Sequence, residues 1–201
     1  MTKIKLCGLS RPCDIEWANA LLPDYIGFVF AQKSKRYVSP ERAKALREGL
    51  DSNIRAVGVF VNEAPEAVAD LLNTGVIDLA QLHGGEDEKY IEALRRLTDK
   101  PLIKAFRVDG HAALEKARRS SADYVLLDNG AGGTGTAFDW ALLKGFDRPY
   151  FLAGGLGPGN VRQAIKALTP FAVDVSSGIE TNGAKDHMKM SAFVNAARHE
   201  E

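Results

Sequence analysis

Short apolar runs alternate with amphipathic stretches along the whole chain. The first run, Lys3–Cys7, has strand parity: Lys5 and Cys7 share one face, Ile4 and Leu6 the other. Residues 11–22 then follow helical spacing, with Ile15, Ala18 and Leu22 as the apolar stripe, and Pro23-Asp24 ends it. Residues 25–30 (YIGFVF) are apolar on both faces, as in a parallel sheet covered on both sides. After a polar loop, Ser39-Pro40-Glu41 reads as a helix start, with Ser39 as N-cap and Pro40 at the first helical position. That helix runs to about Leu50. Further strands are predicted over 54–61, 77–83, 101–106, 123–127, 149–153 and 171–175. Helices are predicted over 65–73, 86–97, 111–119, 160–168 and 187–198, with a short one near 140–144. The 86–97 segment is acidic early and arginine-rich late, as the helix dipole favours. A glycine-rich loop over 130–135 follows Asp128.

This makes about eight strand-then-helix units in one series, with no linker and no break in composition. Such alternation implies an α/β fold with a parallel sheet. Eight units predict a closed (β/α)8 barrel of the TIM type, compact at 201 residues and forming a single domain over 1–201. The alternative is an open doubly wound sheet, which usually carries a glycine-rich fingerprint after its first strand. Here that turn is Cys7-Gly8-Leu9-Ser10-Arg11, which is no such fingerprint. The run over 155–160 also fails the pattern, because Asn160 stands at its last position, and no P-loop motif occurs.

Composition narrows the partners. Lys+Arg and Asp+Glu both count 26, and no basic block or tail occurs, so a nucleic-acid partner is not expected. No apolar run approaches the roughly 20 residues needed to span a bilayer, and no signal-peptide pattern opens the chain. Two cysteines, Cys7 and Cys13, make no disulfide framework. Two reduced thiols in a cytoplasmic protein are the expectation.

The chemistry collects at one rim. The carboxyl ends of the predicted strands carry Cys7, the loop cations up to Arg36, Asn62, Gln81, His83, Arg107, Asp128, Gly154-Gly155, Asp174 and Ser176-Ser177-Gly178. The amino ends carry mostly turn residues and prolines. In such barrels the active site lies at the carboxyl ends, and the loops after strands seven and eight are the usual phosphate cradle. Gly154 and Gly155 would let the backbone approach an anion. Ser176, Ser177 and Gly178 would offer hydroxyls and N–H groups. Cys7 and Asp128 could exchange protons with a substrate from well-separated parts of the rim. From the residues alone, a packing role for Cys7 and a helix-cap role for Asp128 stay open. His83 could touch substrate or make a structural hydrogen bond. Arg36 has the planar fork suited to a carboxylate, or a solvated surface role. Cys13, His111, His187 and His199 read as packing or helix-surface residues. No metal-ligand spacing and no G-x-S-x-G elbow occur.

Seven runs carry a family resemblance: KLCGLSRP at 5–12, GFVFAQKSKRYVSP at 27–40, VGVFVN at 57–62, QLHG at 81–84, LLDNGAGGTGTAFDW at 126–140, LAGGLGPGNV at 152–161 and VDVSSGIE at 173–180. Together they make the chain resemble the phosphoribosylanthranilate isomerases of tryptophan biosynthesis over essentially its full length. The resemblance implies a cofactor-free Amadori rearrangement of a small phosphosugar–anthranilate substrate, with no metal, no nucleic acid and no membrane involved. The chain would work as a monomer or homodimer. By the same resemblance, Cys7 matches the general base at ribose C2 and Asp128 the general acid at the ring oxygen. Arg36 matches the residue that meets the anthranilate carboxylate. His83 and Asp174 match positions near the substrate, and Gly154, Gly155, Ser176, Ser177 and Gly178 match the phosphate site. The loop over 129–136 is shorter than the family often has, and Thr136-Ala137 stands where a Lys-Thr pair is usual.

Lys5 points by parity into the barrel below Cys7, where an amine needs a partner, with Asp174 a candidate. A cation there is expected to favour the Cys7 thiolate. Two rivals share the fold: an aminoaldose isomerase of histidine biosynthesis, where carboxylates would be expected as the acid–base pair, and a non-catalytic phosphometabolite-binding barrel.

Overall fold

The computed structural model describes residues 1–128 and 140–198. The glycine-rich loop, the Thr136-Ala137 departure and His199 lie outside the described residues. Eight parallel strands hydrogen-bond in chain order and close into a barrel. They are β1 (Lys3–Cys7), β2 (Tyr25–Val29), β3 (Arg55–Phe60), β4 (Leu79–Leu82), β5 (Leu102–Arg107), β6 (Tyr124–Asp128), β7 (Tyr150–Ala153) and β8 (Ala172–Val175). Around them, among the described residues, lie α1 (Pro12–Leu21), α2 (Pro40–Glu48), α3 (Pro65–Asn73), α4 (Glu88–Arg95), α5 (His111–Arg119), α6 (Val161–Leu168) and α7 (His187–Arg198). The short helix expected near 140–144 is a 3-10 turn, Trp140–Leu143. Among the described residues no helix is long and apolar enough to cross a membrane.

Strand parity sorts the side chains into two cores. Outward residues such as Ile4, Leu6, Ile26, Phe28, Leu82 and Leu127 pack with the helices' Ile15, Leu46, Leu72 and Val194. Inward residues Tyr25, Val57, Leu79, Ile103, Leu126, Phe151 and Ala172 fill the barrel itself. Phe151 anchors that interior, its ring edge-on to Tyr25 at 5.4 Å, Tyr124 at 5.8 Å and Phe171 at 5.6 Å. Two residues further toward the carboxyl ends, the inward positions turn polar. Gln81 follows Leu79, Asp128 follows Leu126 and Asp174 follows Ala172.

Two local departures from the sequence reading have physical causes. The helix expected from residue 86 starts at Glu88, because Asp87 caps it by accepting from the Tyr90 N–H at 3.0 Å. Glu86 turns inward instead. It accepts from Lys104 Nζ at 2.9 Å and from the Asn62 and Gly84 N–H groups at 2.7 and 2.8 Å. The sequence reading also missed a hairpin after β8, formed by β9 (Glu180–Thr181) and β10 (Ala184–Lys185). Its turn is Asn182-Gly183, with φ of 54° and 80°, the left-handed pair that a tight hairpin needs.

Phe151→Ala should cost about 3–5 kcal/mol, since the fully buried ring leaves a cavity that its neighbours only partly close. For a chain of this size that lowers Tm by roughly 6–20 °C. A thermal melt followed by circular dichroism checks it, and an unchanged Tm would refute the anchoring role.

Candidate active site

At the carboxyl ends of the strands lies a cavity of ≈ 330 Å³. Its lining contains Cys7, Arg36, His83, Asp128, Gly154, Gly155, Asp174, Ser176 and Ser177. These are the residues singled out from the sequence, apart from Gly178. The ring order β6-β7-β8-β1 puts the two glycine/serine turns between the strand of Asp128 and the strand of Cys7.

Cys7 is buried at the end of β1, and it fits there because residue 27 on β2 has no side chain. A Cβ on Gly27 would lie 2.7 Å from the Cys7 Sγ. Beneath Cys7, the fully buried Lys5 ammonium donates to Asp174 Oδ1 at 2.9 Å and to Gln81 Oε1 at 2.8 Å. Asp174 is therefore the partner that the sequence suggested. Burial lowers the Lys5 pKa, but Asp174 and Cys7 outweigh it and the amine stays charged. For the thiol the balance differs from the expectation. Burial pushes the Cys7 pKa up, and the opposing pull of Lys5 and Lys185 does not overcome it. Lys5 favours the thiolate in direction only, because desolvation of a small buried anion is the larger effect.

The mouth is organised by residues that the sequence reading did not select. Arg36 donates through Nε and Nη2 to Glu180 Oε1 and Oε2 at 2.6 and 2.7 Å, a bidentate pair. Lys185 Nζ donates to the same carboxylate at 2.6 Å and to the Ser176 carbonyl at 2.9 Å. Ser176 Oγ in turn donates to the Cys7 carbonyl at 3.1 Å. The β9–β10 hairpin thus ties the loop after β2 to the loop after β8. Burial alone would raise the Glu180 pKa, but hydrogen bonds from Arg36 and Lys185 hold it below the usual carboxylate range. Desolvation lowers the Lys185 pKa despite Glu180. The legible signal was Asn182-Gly183, which turns the chain back so that Lys185 faces Glu180.

Gly154 and Gly155 turn with φ of 89° and 66°. Asn160 holds their loop, accepting from the Gly157 N–H and donating to the Gly155 carbonyl, both at 2.9 Å. Gly178 is not part of the cavity lining, and a Cβ there would meet the Leu156 carbonyl at 2.0 Å, so only glycine lets the two loops touch. His83 Nδ1 is 2.7 Å from Gln81 Nε2, and its Nε2 is 3.8 Å from Asp128 Oδ2. Cys13 is half-buried on α1, and His111 and His187 are exposed. Among the described residues no three His, Cys, Asp or Glu side chains group as metal ligands.

The family model for N-(5'-phosphoribosyl)anthranilate isomerase matches residues 4–196. The chain belongs to this family. An N-(5'-phosphoribosyl)anthranilate isomerase of Thermoanaerobacter sp. (strain X514) is 46% identical over 204 residues, covering 98% of each chain. The phosphoribosyl anthranilate isomerase of Thermotoga maritima superposes with a TM-score of 0.88 at 37% identity, covering 98% of this chain and 99% of that one. A further isomerase, solved with reduced 1-(o-carboxyphenylamino)-1-deoxyribulose 5-phosphate, gives 0.86 at 37% identity with the same coverage. The activity is that of the family, isomerisation of N-(5'-phosphoribosyl)anthranilate in tryptophan biosynthesis. It is preferred over both rivals, the histidine-pathway isomerase and the non-catalytic barrel.

The lowered Glu180 pKa has a pH signature. A carboxylate depressed in the folded state stabilises above its ordinary value of 4.5, and that stability is lost as pH falls through the folded value. Urea unfolding of the wild type and Glu180→Gln should therefore differ most at neutral pH and converge in acid below pH 4.5. A constant gap across that range would contradict the assignment.

Proposed function

We propose that Cys7 and Asp128 carry the two proton transfers of this isomerase. Asp128 protonates the ring oxygen of the aminoaldose as the C1–O bond breaks, and the nitrogen lone pair forms the Schiff base. The Cys7 thiolate then removes the proton from C2; the electrons of that C–H bond form the C1=C2 double bond, and the C=N π electrons return to the nitrogen. The enolamine tautomerises to the aminoketose. No electron leaves or enters the substrate as a whole, so the chemistry needs no cofactor. The observation that carries this reading is the shared cavity: both groups line it, with the two anion turns between their strands.

The remaining assignments follow the cavity. Backbone N–H groups around Gly154-Gly155 and the Ser176-Ser177 turn hold the phosphate. Gly178 keeps those loops together. Arg36 meets the anthranilate carboxylate with the N–H groups that Glu180 leaves over, on Nη1 and the rest of Nη2. Asp174 faces the substrate but commits Oδ1 to Lys5. His83 lies beside Asp128. The partner is a small phosphosugar–anthranilate molecule, handled by one 1–201 domain in the cytoplasm as a monomer or homodimer. The Thermotoga maritima isomerase is dimeric and has also been solved as monomers.

Loss of substrate fluorescence measures turnover. Cys7→Ser and Asp128→Asn should each lower kcat by about 10²–10⁴-fold with KM little changed, the usual contribution of a positioned acid or base. Full turnover in either variant would remove that residue from the mechanism.

The thiol's raised pKa makes turnover climb with pH. Lys5→Met removes a cation that lowers that pKa, so the ascending limb of kcat/KM should move to higher pH. An unmoved limb would mean that Lys5 does not act on the base.

A further inference from the structure

A line of side chains crosses the floor of the cavity from Asp174 through Lys5 and Gln81 to His83 and Asp128. Its polarity follows from donor counting. The Lys5 ammonium can only donate, and its ion pair with Asp174 keeps it charged. The end of Gln81 that faces it at 2.8 Å must therefore be the carbonyl oxygen. The amide nitrogen is then the end turned toward His83, 2.7 Å from Nδ1. An amide NH₂ can only donate, so Nδ1 must offer a lone pair. The imidazole keeps one proton, on Nε2, the nitrogen 3.8 Å from Asp128.

We propose that Gln81 is a positioning residue that locks His83 in the neutral Nε2–H tautomer and so keeps an imidazolium away from Asp128. The functional half of this proposal rests on Asp128 being the general acid. An imidazolium needs a proton on Nδ1, which would set two donors against each other at 2.7 Å. Placed 3.8 Å from Asp128, it would also stabilise the carboxylate form and oppose proton delivery to the sugar oxygen. A neutral Nε2–H does neither, and it can hydrogen-bond to Asp128 or to the substrate oxygen.

The surroundings of His83 agree. Its side chain is 36% exposed toward the mouth, yet enough protein encloses it that desolvation lowers its pKa. Asp128 on β6 and Asp174 on β8 pull toward protonation, while Lys5 on β1 and Lys104 on β5 oppose it. The lock draws its direction from a cation that never touches the histidine: Lys5 orients Gln81, and Gln81 orients the ring.

Imidazole ¹⁵N-labelled protein tests the lock directly, through long-range proton–nitrogen correlation spectra of its four histidines, with His83→Asn assigning the signal. The expected result is an unprotonated Nδ1 and a protonated Nε2 on His83, unchanged on acidification through the ordinary histidine range near 6.5. A protonated Nδ1 at neutral pH would overturn the lock. Gln81→Glu tests the consequence, because a carboxylate accepts from both neighbours and invites the second proton. It should raise the His83 pKa, so that kcat falls roughly tenfold below wild type as the pH drops beneath that pKa and recovers above it, tenfold being one unit of acidity in the neighbouring acid. A merely structural role would lower kcat by the same factor at every pH, and that result would overturn the functional half. Should Gln81→Glu fail to fold, the wild-type spectrum still decides the tautomer. Full turnover in Asp128→Asn would remove the general acid and with it the functional half, while leaving the tautomer result separate.

Discussion

The buried charge of Lys5 is the constraint on which the rest of the site depends. An ammonium with no solvent contact is tolerable only when its donors are satisfied. Three strands meet to do this: β1 brings the amine, β8 the carboxylate of Asp174 and β4 the carbonyl of Gln81. Removing one member of such a pair typically costs about 3–5 kcal/mol, because the other charge is left stranded. The arrangement therefore specifies geometry as well as stability. It fixes which end of Gln81 faces which neighbour and sets the field under Cys7. Among the described residues no buried side-chain polar atom lacks a hydrogen-bond partner.

Above this layer the mouth is tied by a second set of charges. Glu180 gathers Arg36 and Lys185, and Lys185 reaches the Ser176 carbonyl. Arg36 on the loop after β2 and the loop after β8 are thus held by one hairpin. Such preorganisation reduces the entropy lost when a doubly anionic ligand binds. Room for the Cys7 thiol comes from an absence, the missing Cβ of Gly27.

The barrel was legible because its strands and helices differ in apolar period, and because Pro40 and Pro65 mark helix starts that the structure keeps. The gathering of Cys7, Arg36, His83 and Asp128 at one cavity was legible from strand ends and from the family runs. Glu86 was misread as helix because an acidic residue ahead of a helix scores as its first turn. Only the tertiary position of Lys104 shows that it belongs to an ion pair. Glu180 and Lys185 were missed for a similar reason: a two-residue strand has no periodicity to read, although Asn182-Gly183 between them was a usable sign. The state of Cys7 was not legible at all, since it is set by competition between desolvation and two lysines brought together by the fold.

The seam between β1 and β8 has a consequence for the order in which the protein is made. The chain leaves the ribosome from its N-terminus, so β1 emerges carrying Lys5 long before Asp174 exists to pair with it. Arg36 likewise waits for Glu180. A nascent chain holding the first six strands has most of the inner barrel but neither of these partners. Lys5 and Arg36 thus gain their carboxylate partners only after β8 and the hairpin that follows it have been made. The pairing of β8 with β1 that closes the barrel is the same pairing that sets Asp174 against Lys5.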